Sequence, residues 1–278
     1  RLHTVRMQAA KLFARANRLD RIVLGEPGAR VVVATTGKSY QDVVVALDEL
    51  GIDEARARAL RLAVYKVGLT FPLEPEALAE AVGGSELLLV VEEKRGLIES
   101  QAKEILYDRR ERPRVLGKTD ERGETLFPSW GQLEPLQIAI ALGERLLERT
   151  GDPALAARVE ALRARRAALP QSAAGLVRLP WFCPGCPHNS STKVPEGSRA
   201  VAGIGCHFMV TWMGRDTLGW TQMGGEGASW IGQAPFSTRR HVFQNIGDGT
   251  FYHSGSLTLR AARAAGADYA DARYVREE

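Results

Sequence analysis

Glu86-Leu87-Leu88-Leu89-Val90-Val91 decides the fold. Its apolar residues are consecutive, without the polar alternation of a strand that keeps one face in water. A strand of this kind is covered on both faces, as in a parallel sheet enclosed by helices. Two upstream runs share its character: Arg30-Val31-Val32-Val33-Ala34, and Leu60-Arg61-Leu62-Ala63-Val64-Tyr65-Lys66-Val67. Helical segments separate them. Ser39 to Leu50 sets Val43, Val44, Leu47 and Leu50 on one side and is closed by Gly51. Pro75 to Ala81 opens with proline in its first turn, and Leu97 to Tyr107 follows the third strand. Alternation of this sort predicts an α/β domain over 28–117.

On the N-terminal side, residues 1–27 read as a helical tail of a preceding domain. Val5, Met7, Leu12, Phe13 and Leu19 are scattered among basic residues, and Gly25-Glu26-Pro27-Gly28 marks a turn. On the C-terminal side, 118–180 reads as a helical connector and linker. Gln132 to Arg149 and Pro153 to Leu169 are helical, and Pro170 to Pro180 joins them to the next region. At Trp181 the composition turns rich in glycine, aromatics and cysteine, so 181–278 reads as a further domain.

The chain has 278 residues, 45% of them hydrophobic, enough for about two domains with cores. A net charge of +4, dispersed as in Arg56, Arg58 and Arg61, suits solvated helix faces rather than a nucleic-acid stripe. No run of about 18 apolar residues occurs, so no membrane span is predicted. Three cysteines, two in one motif, suit a cytoplasmic metal or cluster site better than a secreted disulfide framework. Arg1 stands where a complete chain has Met, which suggests a piece of something longer.

Four motifs bear on chemistry. Thr35-Thr36-Gly37-Lys38-Ser39 follows a strand and opens a helix, like a phosphate-binding P-loop. The second glycine of such a loop would fall at Val32, inside the strand, so the cradle does not form. Cys183-Pro184-Gly185-Cys186-Pro187-His188 spaces two thiolates for one metal or cluster, with Cys206 as a third. Zinc, a redox dithiol and an iron–sulfur cluster all remain open on chemistry alone. Thr221-Gln222-Met223-Gly224-Gly225-Glu226-Gly227-Ala228 permits close approach of a ligand or another backbone. Gly247-Asp248-Gly249-Thr250-Phe251 follows the apolar run 242–246. It reads either as an ordinary turn or as a magnesium diphosphate site, in which the glycines admit phosphates, Asp248 offers hard oxygen to a metal, and the next helix N-terminus offers N–H groups.

Together these pieces resemble one family. FCPGCPHNSSTKVPEGSRAVAGIGCHFM, TQMGGEGASWIGQAPF and HVFQNIGDGTFYHSG resemble the thiamine diphosphate-binding domain of indolepyruvate ferredoxin oxidoreductases, especially the long fused bacterial form. VYKVGLTFPLEPEALAEAV and LLLVVEEKRGLIES resemble that family's transketolase C-terminal-like domain. The resemblance implies two three-layer α/β domains with mainly parallel sheets, the second truncated. It implies oxidative decarboxylation of a 2-oxoacid such as an aryl pyruvate on thiamine diphosphate and Mg2+, with coenzyme A taking the acyl group and ferredoxin the electrons. It makes Asp248 a magnesium ligand and places Gly247, Gly249 and Thr250 on the diphosphate. It extends the cofactor set to Gly205, His207, Gly224 and Gly225. It assigns Cys183, Cys186 and Cys206 to a [4Fe-4S] cluster, and it implies a homo-oligomer with the remaining domains or a second subunit nearby. The family's second metal-binding side chain, an Asn about 28 residues after the Asp, is absent; Arg276 stands near its place. A fourth cysteine is missing too. The chain is therefore expected to be an internal fragment, inactive alone. A zinc-stabilised interaction protein without catalysis is the alternative.

Overall fold

The computed structural model describes residues 1–169 and 179–267. It divides into two compact units, Arg1–Gln171 and Ser172–Glu278.

The first unit holds a five-stranded sheet. Its strands are β1 (Arg21–Leu24), β2 (Val31–Thr35), β3 (Leu62–Lys66), β4 (Leu87–Val91) and β5 (Arg114–Leu116), in the order β1-β3-β2-β4-β5. Only β1 is antiparallel to its neighbour; β2, β3, β4 and β5 pair in parallel. The consecutive apolar runs now have a physical reason. Val31, Val33, Leu62, Val64, Leu87, Leu89 and Val91 enter one core, while Val32, Ala34, Ala63, Tyr65, Leu88 and Val90 enter another. Successive side chains alternate between sheet faces, so both faces need apolar cover.

Helices provide it. α1 (Met7–Ala16) precedes the sheet. α2 (Gly37–Glu49) and α3 (Glu54–Ala59) lie between β2 and β3, α4 (Pro75–Ala81) lies before β4, and α5 (Leu97–Leu106) lies before β5. α6 (Pro135–Thr150) and α7 (Pro153–Ala168) then form a helical hairpin. Gly151, left-handed at φ 62°, ends α6, and the Asp152 carboxylate caps α7 by accepting from Leu155 N–H at 2.8 Å.

Two boundaries differ from the sequence reading. Residues 21–24, expected within a helical tail, are a strand of the sheet. The segment before it is tied to the same unit: Asp20 accepts from Gly68 and Leu69 N–H groups at 2.7 and 3.0 Å. The expected connector is also core. Ile138, Ala139, Leu142 and Leu146 of α6, with Leu155, Val159 and Leu162 of α7, are buried in the cluster that contains Val31 and Leu89. An apolar helix face makes a wall as readily as a spacer, and periodicity alone does not distinguish them.

The second unit has a three-stranded parallel sheet of β6 (Ala200–Ala202), β7 (Thr217–Trp220) and β8 (Phe243–Gln244), in the order β7-β6-β8. Its helices are α8 (His188–Ser191), α9 (Ala228–Gln233), α10 (Asp248–Thr250) and α11 (Ser256–Ala265). A π-helical turn, Phe251–Gly255, joins α10 to α11, so the chain is helical from Asp248 to Ala265. Ala200, Ala202, Val242, Trp230 and Ala262 are buried in this unit. Arg276 and the expected linker at 170–178 lie outside the described residues. No helix among the described residues is long and apolar enough to cross a membrane.

Candidate functional site

In an open parallel sheet, ligands bind outside the carboxyl ends of the strands, where loops meet and helix N-termini point. In the second unit three loops leave those ends. Gly203-Ile204-Gly205 follows β6, residues 221–227 follow β7, and Asn245-Ile246-Gly247 follows β8. The motifs bearing Gly205, Gly224, Gly225 and Asp248 thus come to one end of one sheet, although 43 positions separate the first from the last.

Backbone approach is what these loops offer. Gly205 has φ +158°, a conformation L side chains rarely adopt, and a Cβ there would stand 2.9 Å from His207 Cε1. His207 is buried at the start of the 3-10 turn Cys206–Trp212. At Gly247 an added Cβ would meet nothing nearer than the same imidazole carbon at 3.9 Å, and at Gly249 nothing within 4 Å. Gly224, at φ +91°, lies against Ser254 of the helical run, and its carbonyl accepts from Thr258 Oγ1 at 3.1 Å. The glycine-rich loop is therefore fastened to the helix that Asp248 opens. Gly225 packs over Gln222, 2.7 Å from its Nε2 to an added Cβ.

Asp248 sits in the first turn, partly exposed, and its Oδ1 accepts from Gly249 N–H at 2.7 Å. Thr250 is buried, with its Oγ1 lacking a hydrogen-bond partner. These groups fit a magnesium diphosphate. A single carboxylate suffices on the protein side because magnesium takes its remaining ligands from phosphate and water. Gly205→Ala is accordingly expected to weaken pyrophosphate binding about tenfold or more while the fold persists. Calorimetric titration with circular dichroism checks both; unchanged affinity contradicts the cradle.

The cysteines behave differently. Cys183 and Cys186 flank a turn, with Cys186 N–H donating to the Cys183 carbonyl at 3.0 Å and Gly185 at φ +77°. Cys183 and Cys206 are exposed. Among the described residues no three His, Cys, Asp or Glu side chains are grouped to hold a metal ion. The described residues thus show no preformed ligand group for the [4Fe-4S] cluster expected on Cys183, Cys186 and Cys206, or for zinc. The C-x-x-C spacing sets a local turn. His188 is buried, its ring centroid 6.0 Å from that of His207. Trp230 is buried, whereas Trp212 and Trp220 are exposed.

Sequence reasoning missed one residue. Glu226 is 0% exposed, yet only its Oε2 has a partner, the Gly224 N–H at 2.6 Å. The motif contained it, but nothing in the spelling distinguishes a buried glutamate from a solvated one.

The resemblance to a P-loop in the first unit is resolved by geometry. Lys38 Nζ donates to Asp42 at 2.7 Å, to the Leu133 carbonyl at 3.1 Å and to Glu93 at 3.2 Å. An ammonium has three donors, and all are used inside the fold. The bond to Asp42 raises the Lys38 pKa, and the Leu133 N–H with Lys38 lowers that of Glu93.

The fold and the loops define a protein of the α/β class with three glycine-bearing loops at the strand ends of its second unit. Comparison with known proteins narrows the class. Residues 21–169, just over half the chain, match the family model described as the indolepyruvate oxidoreductase domain, and the chain belongs to that family. Related proteins include the indolepyruvate oxidoreductase subunit IorA of Thermococcus kodakarensis, 26% identical over 257 residues, covering 86% of this chain and 37% of the relative. IorA of Methanothermobacter thermautotrophicus is 25% identical over 264 residues, covering 90% of this chain and 38% of its own length. The chain thus spans less than two fifths of the relatives it matches. A solved structure described as a split gene transketolase, inactive beta4 tetramer, overlaps 52% of this chain and 42% of its own at TM-score 0.30 and 17% identity. A likeness that partial carries no argument.

Proposed function

We propose that the chain supplies the diphosphate-side half of a thiamine diphosphate–magnesium site in a 2-oxoacid oxidoreductase of the indolepyruvate type. One observation carries the reading: the Gly205, Gly224–Glu226 and Gly247–Asp248–Gly249 loops leave the same end of one parallel sheet. When bound, the cofactor supplies the electron sink for decarboxylating a 2-oxoacid. The chain's own residues bind and orient. Asp248 holds the metal, the bare backbone at Gly205, Gly247 and Gly249 receives phosphate oxygens, and N–H groups at the start of the helical run face the charge. Relatives named for indolepyruvate support an aryl 2-oxoacid as substrate. Coenzyme A as acyl acceptor and ferredoxin as electron acceptor belong to the same reading, as do a second subunit or further domains and assembly into a homo-oligomer.

Calorimetry of the chain with thiamine diphosphate tests the reading. Saturable binding that needs magnesium and is lost on chelation is expected; absence of magnesium-dependent binding overturns it. With indolepyruvate and a viologen dye added, the chain alone is expected to show no turnover, and robust turnover would contradict its role as half a site.

A further inference from the structure

The first unit has a cleft of its own at the carboxyl ends of its strands. The chain passes from β2 to β3 on one side, and β4 flanks β2 on the other, so the strand order reverses between β2 and β4. Open α/β sheets bind ligands at such a reversal. Here a cleft of about 310 Å³ is lined by Thr36, Lys38, Ser39, Glu92, Glu93 and Arg95.

Two helices open beside it, and they differ. α5 is closed by the protein's own anion: Glu92 accepts from the Leu97, Ile98 and Glu99 N–H groups at 3.0, 2.9 and 2.9 Å. α2 has no such cap. Thr36 donates its hydroxyl to the Val67 carbonyl at 2.8 Å, and no side chain accepts from the first turn of α2. Among the described residues the Gly37, Lys38 and Ser39 N–H groups reach no acceptor. Gly37, left-handed at φ +51° and followed by helical residues, gives the backbone sequence of an anion-binding nest. A second observation points to a ligand. Ser39 is only 4% exposed, makes no hydrogen bond among the described residues, and still lines the cleft. A buried hydroxyl without a partner calls for an explanation. Arg95 lines the cleft too and forms no ion pair among the described residues. Lys38 is not available, because Asp42, Glu93 and the Leu133 carbonyl use its three donors.

We propose that this cleft binds a small monocarboxylate, which accepts from the free N–H groups of α2 and from Ser39 Oγ, with Arg95 as its counter-charge. Charge decides the class. The positive end of the α2 dipole disfavours a cation. Glu92 and Glu93 line the same cleft, and the Leu133 N–H and Lys38 hold the Glu93 pKa down, so a phosphate dianion meets more repulsion than a single charge does. The site is independent of the diphosphate reading, which concerns the second unit.

Titration of the whole isotope-labelled chain with propionate, followed by NMR, tests it. Saturable shifts of the Gly37, Lys38 and Ser39 amide signals with one dissociation constant are expected. Propionamide, of the same shape without the charge, is expected to leave those signals in place, and inorganic phosphate to bind more weakly than propionate. Arg95→Gln and Ser39→Ala are each expected to weaken propionate binding about fivefold or more, with the melting temperature unchanged. No saturable shift with propionate, an equal response to propionamide, or tighter binding of phosphate overturns the proposal. So does propionate affinity that is unchanged in both variants.

Discussion

Asp248→Ala is expected to lower magnesium-dependent affinity for thiamine diphosphate by at least about 100-fold, roughly 2.8 kcal/mol. The size follows from the role. Asp248 is the carboxylate in the first turn of the helical run, and no three-ligand metal group exists among the described residues to take over its charge. Asp248 would hold the metal that accompanies the diphosphate, so its removal is expected to weaken metal and diphosphate binding together. Asp248→Asn separates charge from shape: it keeps an oxygen but loses the anion, and intermediate loss is expected. The fold should be indifferent, because Asp248 is partly exposed and its carboxylate bonds the N–H of its own neighbour, Gly249. Equal affinity in Asp248→Ala and the unaltered chain, by titration calorimetry, would remove magnesium from Asp248.

Leu142→Ala is expected to cost the first unit about 2–5 kcal/mol, read as a lowered denaturant midpoint. Leu142 is 0% exposed, in the middle of α6 and in the core cluster shared with the sheet. The neighbourhood is close-packed: a Cβ on the adjacent Gly143 would stand 2.6 Å from Val159 and 3.0 Å from Leu50. Such a site relaxes poorly around a cavity, which favours the upper part of the range. If α6 and α7 were a connector outside the core, the same change would cost under about 1 kcal/mol.

The first unit was legible in the sequence where burial is two-sided. The runs at Val31–Ala34, Leu62–Tyr65 and Leu87–Val91 leave no alternative to a covered sheet. β1 was not legible because Arg21-Ile22-Val23-Leu24 is short, begins with a charge and pairs on one side only. A helix and a single-sided edge strand can both accept such a segment. The role of α6 and α7 was hidden for another reason: an amphipathic pattern gives a buried face but not its partner.

At the site, the glycines and Asp248 were legible because close backbone approach and hard oxygen ligation depend on residue type. Glu226 was not, since its meaning lies in the missing partner of one oxygen. The cysteines show the reverse. C-x-x-C is a strong spelling, but spacing along the chain fixes only Cys183 and Cys186, and the structure does not group Cys206 with them for a metal.

The most direct measurement is a crystal structure of the chain with thiamine diphosphate and Mn2+ in place of magnesium, phased to show the manganese anomalous signal. The account predicts one peak within about 2.2 Å of an Asp248 carboxylate oxygen, with the diphosphate against Gly205 and Gly249. A manganese peak away from Asp248, or a diphosphate bound at the Gly37–Ser39 turn of the first unit, would contradict it.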